Sequence, residues 1–244
     1  MFPIRDLAPT RLFPLLTVAL IGANALAFFG WQPLSDPDAQ APFLYERAAI
    51  ACEITTGQPL TLTEIVSGRC TDAPTGQPVF PEKQVLLAAV VSLFLHGSLL
   101  HLAGNMWFLW IFGNNVEEAF GHVGFAALYF VGGVLATLGF VLLHPASTEP
   151  LIGASGAVAA VLGAYFVLFP RSWVLSLLVF YVLPVPSVIF LGLWFIGQFA
   201  VTDASVAWEA HVAGFAVGMA VALVFRGPLK ARVRRVHGSM GTRV

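Results

Sequence analysis

Residues 97–143 read GSLLHLAGNMWFLWIFGNNVEEAFGHVGFAALYFVGGVLATLGFVLL. Two apolar stretches, about 97–119 and 122–143, follow one another in this run, and crossing a bilayer takes about 20 such residues. Working outward, apolar stretches predict further helices at about 153–170, 185–202 and 207–225, and an earlier one from about 12 to 31. The composition agrees. Of 244 residues, 58% are hydrophobic and 10% charged, against roughly 25% charged in a typical soluble domain. Mean hydropathy is +0.83. These figures exclude a soluble globular enzyme and a disordered chain. The chain reads as an all-α membrane protein with six transmembrane helices.

Charge distribution gives the sidedness. From Arg226 to Val244 there are six basic residues (Arg226, Lys230, Arg232, Arg234, Arg235, Arg243) and no acid. Beside an apolar span, such a tail reads as a cytoplasmic flank rather than a nucleic-acid site. Between Trp31 and Gln84 stand seven acids (Asp36, Asp38, Glu46, Glu53, Glu64, Asp72, Glu82) against Arg47, Arg69 and Lys83. Both termini are therefore expected inside, with Arg5, Arg11 and Arg171, and the acidic loop outside. The expected organisation is 1–31, N-terminus and first span; 32–96, a long external first loop, membrane-associated near its end; 97–225, the remaining spans; and 226–244, the basic tail. A cleaved signal peptide competes for the first stretch, but an h-region of about 7–15 residues is shorter than this one. Residues 173–184 (WVLSLLVFYVLP) are apolar but short, ended by Pro184 and Pro186; they begin the fifth span or lie at the interface. Cys52 and Cys70 both fall in the outward loop. In an oxidising compartment they would pair; two free thiols are the alternative.

Polar side chains within spans are costly to insert and so become functional candidates. His101 and Asn105 stand four apart, on one helix face, in the run His96-GSLLHLAGN. They would donate to one oxygen atom, or else bond a neighbouring helix as packing contacts. Gly153-Ala154-Ser155-Gly156-Ala157 opens the fourth span. A serine at a helix start is commonly a cap, but a helix N-terminus also favours a developing anion. Ala160, Gly163 and Ala164 continue as a small-residue face. The sixth span carries Ala210-His211-Val212-Ala213-Gly214 and then Gly218, a Gly-xxx-Gly packing signature. If the two small faces meet, Ser155 and His211 come into reach. A serine hydroxyl needs such a base to act as a nucleophile near neutral pH. With two donors nearby, nucleophile, base and oxyanion hole are all present.

The runs HGSLLHLAGN, GNNVEEAFG, GASGA and AHVAGFAVG together resemble the rhomboid family of intramembrane serine proteases, bacterial type, over roughly Leu86 to Phe225. The resemblance implies a six-helix bundle of rhomboid type. It implies Ser155 as nucleophile and His211 as general base, a dyad without aspartate. It implies His101, Asn105 and the Ser155 backbone N–H as the oxyanion hole, with His96, Gly153, Gly156 and Gly214 shaping the site. Glu117 matches a position that ties the first loop to the bundle. Two features depart from the pattern. The Trp-Arg pair of many members is replaced by Leu87-Ala88, and a tyrosine that stacks on the catalytic histidine would fall at Ala159. Glu209, two residues before His211, is an unusual charge.

No cofactor or metal is implied. A zinc protease would need His-Glu-x-x-His, and an aspartyl type two intramembrane aspartates; neither is found. The expected partners are transmembrane protein substrates and the lipid bilayer, not nucleic acid. The expected location is a multi-pass protein of the bacterial plasma membrane. An inactive rhomboid-like binder and a small transporter are the alternatives; the first would lack Ser155 or His211, and the second would show internal repeats.

Overall fold

The computed structural model of the chain describes residues 1–71, 73, 76–203 and 206–238; Asp72 and Arg243, counted among the charges, lie outside them. Strand β1 (Phe2–Asp6) precedes helix α1 (Leu15–Gly30). The first-loop region then holds α2 (Pro37–Arg47), β2 (Ala49–Ile50), α3 (Ala51–Thr56), α4 (Leu62–Ser67) and α5 (Val85–Val91). Asp36 caps α2, and Thr61 with Glu64 forms a reciprocal capping box on α4, satisfying amide N–H groups that a helix start leaves free. Cys52 and Cys70 are joined by a disulfide, their Cα atoms 5.7 Å apart. Lys83 Nζ lies 2.6 Å from Glu53 Oε2, with both side chains buried, and donates to the Tyr45 carbonyl at 2.6 Å. Burial pushes Glu53 above and Lys83 below their ordinary titration ranges.

Helix α6 (Leu99–Leu143) contains the run quoted above, broken at Gly121, where φ is 72° and ψ 165°. Only glycine adopts that φ without strain. The break is a reversal. In the first half, His101 lies beside Gly153 and Phe112 beside Tyr165. In the second half, Ala136 meets Gly156 and Gly132 meets Ala160, so the order along the partner is inverted. That partner is α7 (Ser155–Leu168), in which every residue except Ser155 and Phe166 is buried. A helix apolar all round belongs at the centre. A two-residue strand β3 (Pro150–Leu151) pairs with β2 just before it. After α7 come β4 (Trp173–Leu178), β5 (Tyr181–Pro186), α8 (Ser187–Gln198), α9 (Trp208–Val224) and α10 (Arg226–Gly238). Among the described residues α6, taken as one run of 45 residues across Gly121, is the one helix that is long and apolar enough to cross a membrane; α1, α7 and α8 are shorter apolar helices, and α9 meets α10 at a 76° bend.

One expectation is corrected: the chain is mostly helical but not all-α. Of the two readings left open for residues 173–184, the start of a span is excluded. These residues form the hairpin β4–β5, to which β1 adds antiparallel, pairing Phe2 with Leu177 and Asp6 with Val174. Valine, leucine and aromatic residues crowd this segment and suit a pleated surface. Pro184 and Pro186, which lack a donor, sit on the edge strand β5, where a proline is tolerated. Asp6 ends β1 against the helices, accepting from Asn115 Nδ2 and the Ala8 N–H. Burial raises its pKa from the usual carboxylate range to about 6.

Candidate active site

The seam between α7 and α9 is set by glycine. A Cβ at Gly218 would stand 1.8 Å from the Ala160 carbonyl oxygen, one at Gly163 2.0 Å from that of Phe215, and one at Gly214 2.2 Å from that of Gly156. No side chain fits there, so the two backbones are in direct contact. The second half of α6 joins them: a Cβ at Gly139 would meet Ala213 at 2.4 Å, and one at Gly156 would meet Ala136 at 2.7 Å. Small residues permit this approach, and dispersion between backbones replaces the hydrophobic drive that lipid cannot supply.

Ser155 is the first residue of α7 and is only partly buried. Gly153 before it has φ +118°, and a Cβ there would be 2.8 Å from His101 Nε2 and 3.6 Å from Ser155 Oγ. The serine oxygen and the imidazole nitrogen thus border one small space that glycine keeps open. Its N–H is tied down by the Ser92 carbonyl at 2.9 Å. His101 begins α6, its own N–H capped by Ser98 Oγ at 3.1 Å. Asn105, one turn on, is buried, and its amide nitrogen has no hydrogen-bond partner among the described residues. A buried donor left unpaired is costly. The His96 ring stacks edge-on against His101, centroids 5.1 Å apart. The Gln32 side chain brackets the His96 backbone, donating to its carbonyl and accepting from its N–H, both at 2.9 Å.

His211 sits in the first turn of α9, one residue after Ala210, whose carbonyl faces Gly156. Its Nδ1 lies 2.7 Å from Gln198 Oε1, and its ring lies 6.2 Å from that of Trp194 at a 33° tilt. Both come from α8. Ala159, in the place where an aromatic ring would be expected, is fully buried and small. Among the described residues no hydrogen bond joins Ser155 to His211; such contacts commonly tighten only in the substrate complex. Glu209 pairs with His144 at 2.7 Å and so has a bonding role at the end of α6. Sequence reasoning passed over Gln198, Gln32 and Ser92. The rule that singled out His101 and Asn105, a polar group in an apolar run, applies equally to Gln198.

Glu117 lies far from these groups along α6, and among the described residues its bonds go to the start of α1 and to His122 rather than to the first loop. Its carboxylate accepts the Leu16 and Thr17 N–H groups and the Thr17 hydroxyl, at 2.7–2.8 Å, and pairs with His122 at 2.6 Å. It therefore serves the N-terminus of α1, where free N–H groups and the helix dipole favour an anion. Glu118 beside it accepts the N–H groups of Arg11 and Leu12 and pairs with His237 of α10 at 2.6 Å. The neighbouring carboxylates thus join both chain ends to the reversal of α6.

Comparison with known proteins gives one family and several relatives. A model described as Rhomboid domain matches residues 83–228. "Rhomboid protein 1, mitochondrial" of Saccharomyces cerevisiae is 34% identical over 129 residues, 51% of this chain and 33% of that protein. "Presenilin-associated rhomboid-like protein, mitochondrial" of Bos taurus is 36% identical over 94 residues, 37% of this chain and 25% of that protein. "RHOMBOID-like protein 5" of Arabidopsis thaliana is 35% identical over 81 residues, 33% of this chain and 26% of that protein. The chain thus spans about a third or less of the relatives it matches.

Proposed function

The chain belongs to the rhomboid family, and on that premise we propose that it is an intramembrane serine endopeptidase cleaving transmembrane segments of other membrane proteins with Ser155 and His211. One observation carries this reading: the direct backbone contact of Gly156 with Gly214. It brings the N-terminus of α7, where Ser155 stands, against the first turn of α9, which carries His211. In the proposed reaction Ser155 Oγ attacks the scissile carbonyl carbon while its proton passes to His211 Nε2. The tetrahedral oxyanion would be met by His101, by Asn105 with its unpartnered amide, and by the Ser155 N–H at the helix start. Collapse breaks the C–N bond, and the imidazolium gives its proton to the leaving amine. Water then adds to the acyl-enzyme with His211 again as base, releasing the new carboxylate and restoring the serine.

The proposed topology has six spans: α1, the two halves of α6, α7, α8 and α9. Both termini and the Glu117–Glu118 end lie on the positive, cytoplasmic side, and the disulfide-bearing loop 32–96 faces an oxidising compartment. The short α7 is compatible with this because it is enclosed by other helices and does not face lipid. Such a location fits a bacterial plasma membrane, while two of the relatives above carry mitochondrial names.

Ser155→Ala should abolish cleavage of a model transmembrane substrate, and labelling by a serine-directed fluorophosphonate, with folding intact. His211→Ala should do nearly the same, because the two act as a unit. Asn105→Ala should slow turnover by about 10²–10³, as expected for loss of one oxyanion donor, yet still permit slow labelling. Activity within about tenfold of wild type in either dyad variant would remove the assignment.

A further inference from the structure

Gln198 is buried at the end of α8, and its two ends are bonded differently. Its amide nitrogen donates to the Trp194 carbonyl at 3.0 Å, and its Oε1 faces His211 Nδ1 at 2.7 Å. An amide oxygen only accepts, so the hydrogen in the second contact belongs to the histidine. The amide cannot turn over without losing the Trp194 bond and setting an NH₂ group against Nδ1. A neutral imidazole that is protonated at Nδ1 carries its lone pair on Nε2. With Nδ1 held by Gln198, Nε2 is the nitrogen left to act as a base.

We propose that Gln198 is a positioning residue for His211, holding the ring through Nδ1–H so that Nε2 is the base. The inference rests on the protease reading and deepens it by adding to the Ser-His pair a third, hydrogen-bonded member, a neutral amide that orients the histidine and takes no proton. A carboxylate in that place is the familiar solution on soluble folds. Here a neutral acceptor fixes the tautomer without the cost of another buried charge. Trp194, four residues earlier on the same face of α8, packs against the same ring. Together they hold the ring from α8, while Ala159 of α7 has no ring to stack on it. The other titratable groups around His211 are His101 and Glu209, and Glu209 is engaged by His144. Among the described residues only Gln198 bonds the His211 ring.

The test uses the full chain in detergent or liposomes. Gln198→Met keeps the volume but removes the acceptor. It should lower kcat about 10- to 100-fold, with KM within about threefold and thermal unfolding unchanged. Gln198→Glu restores an acceptor and should recover most of kcat, while its negative charge moves the acidic limb of the kcat/KM profile to higher pH by about one unit. A purely structural role would not produce that shift, and the glutamate variant still answers if the methionine variant fails to fold. Wild-type kcat with an unmoved pH profile in both variants would overturn the proposal. The tautomer is read independently of catalysis by 15N NMR of histidine-labelled protein. His211 protonated at Nδ1, and tautomerically mixed in Gln198→Met, is expected; a wild-type proton on Nε2 overturns the proposal. Absence of Ser155-dependent cleavage and labelling in wild type would instead count against the protease reading, with the NMR result still deciding whether Gln198 orients the ring.

Discussion

The α7–α9 seam and the loop at 32–96 solve the same problem by opposite means. The seam has almost no side chains: Gly163, Gly214 and Gly218 bring carbonyls to within about 2 Å of where a Cβ would stand. The loop has a small apolar cluster around Ile50, Cys52 and Leu60 and adds to it a disulfide, a buried Glu53–Lys83 pair and capped short helices. The difference follows from the surroundings. Between helices in lipid, stability comes from the closeness of packing, which glycine maximises. On the proposed topology the loop lies in water, and in a loop too small for a full core covalent and ionic links make up the deficit. A seam of this kind is intolerant of added atoms, whereas the loop is intolerant of lost ones.

The largest effect is expected in the seam. Gly218→Ala adds one methyl where 1.8 Å is available, so α7 and α9 must separate. Cleavage should fall by at least about 10²-fold, since about 1 Å of misplacement at a site has that effect, with a clear fall in melting temperature. Gly22→Ala in α1, where nothing lies within 4 Å, should be neutral or stabilising by about 0.5–1 kcal/mol. Similar behaviour of the two variants would break the comparison.

In the loop, Lys83→Met leaves the buried Glu53 carboxylate without its partner and should cost about 3–5 kcal/mol locally. The double change Glu53→Gln with Lys83→Met should recover much of it. Limited proteolysis between 32 and 84 should rise in the single variant while Ser155 labelling survives; loss of both together would mean that loop and seam fold as one unit. A smaller effect is expected from Cys52→Ser. The bridge spans a sequence separation of 18, and chain entropy puts such a loop at about 3 kcal/mol. Non-reducing peptide mapping should show the bridge in wild type, and the variant should show faster loop cleavage. An unchanged proteolysis rate would assign the loop's order to the ion pair alone.

The helical segments, and Ser155, His211, His101 and Asn105 as candidate polar groups within them, were legible in the chain. Apolar runs record burial residue by residue, and a polar group inside such a run stands out without knowledge of its neighbours. The small-residue stripes on 156–164 and 210–218 also announced which faces could approach. Tertiary structure decided what depends on a meeting of distant segments. Residues 173–184 became a hairpin because β1, some 170 residues earlier in the sequence, supplies a third strand. Glu117 serves α1 rather than the loop because the reversal at Gly121 sets it beside Leu16 and Thr17. Gln198 faces His211 because α8 packs against the start of α9. A side chain's type and its tendency to be buried are local properties of the sequence, but the partner it finds is fixed only when separate elements close on one another, and hydrogen-bond roles follow from the partner.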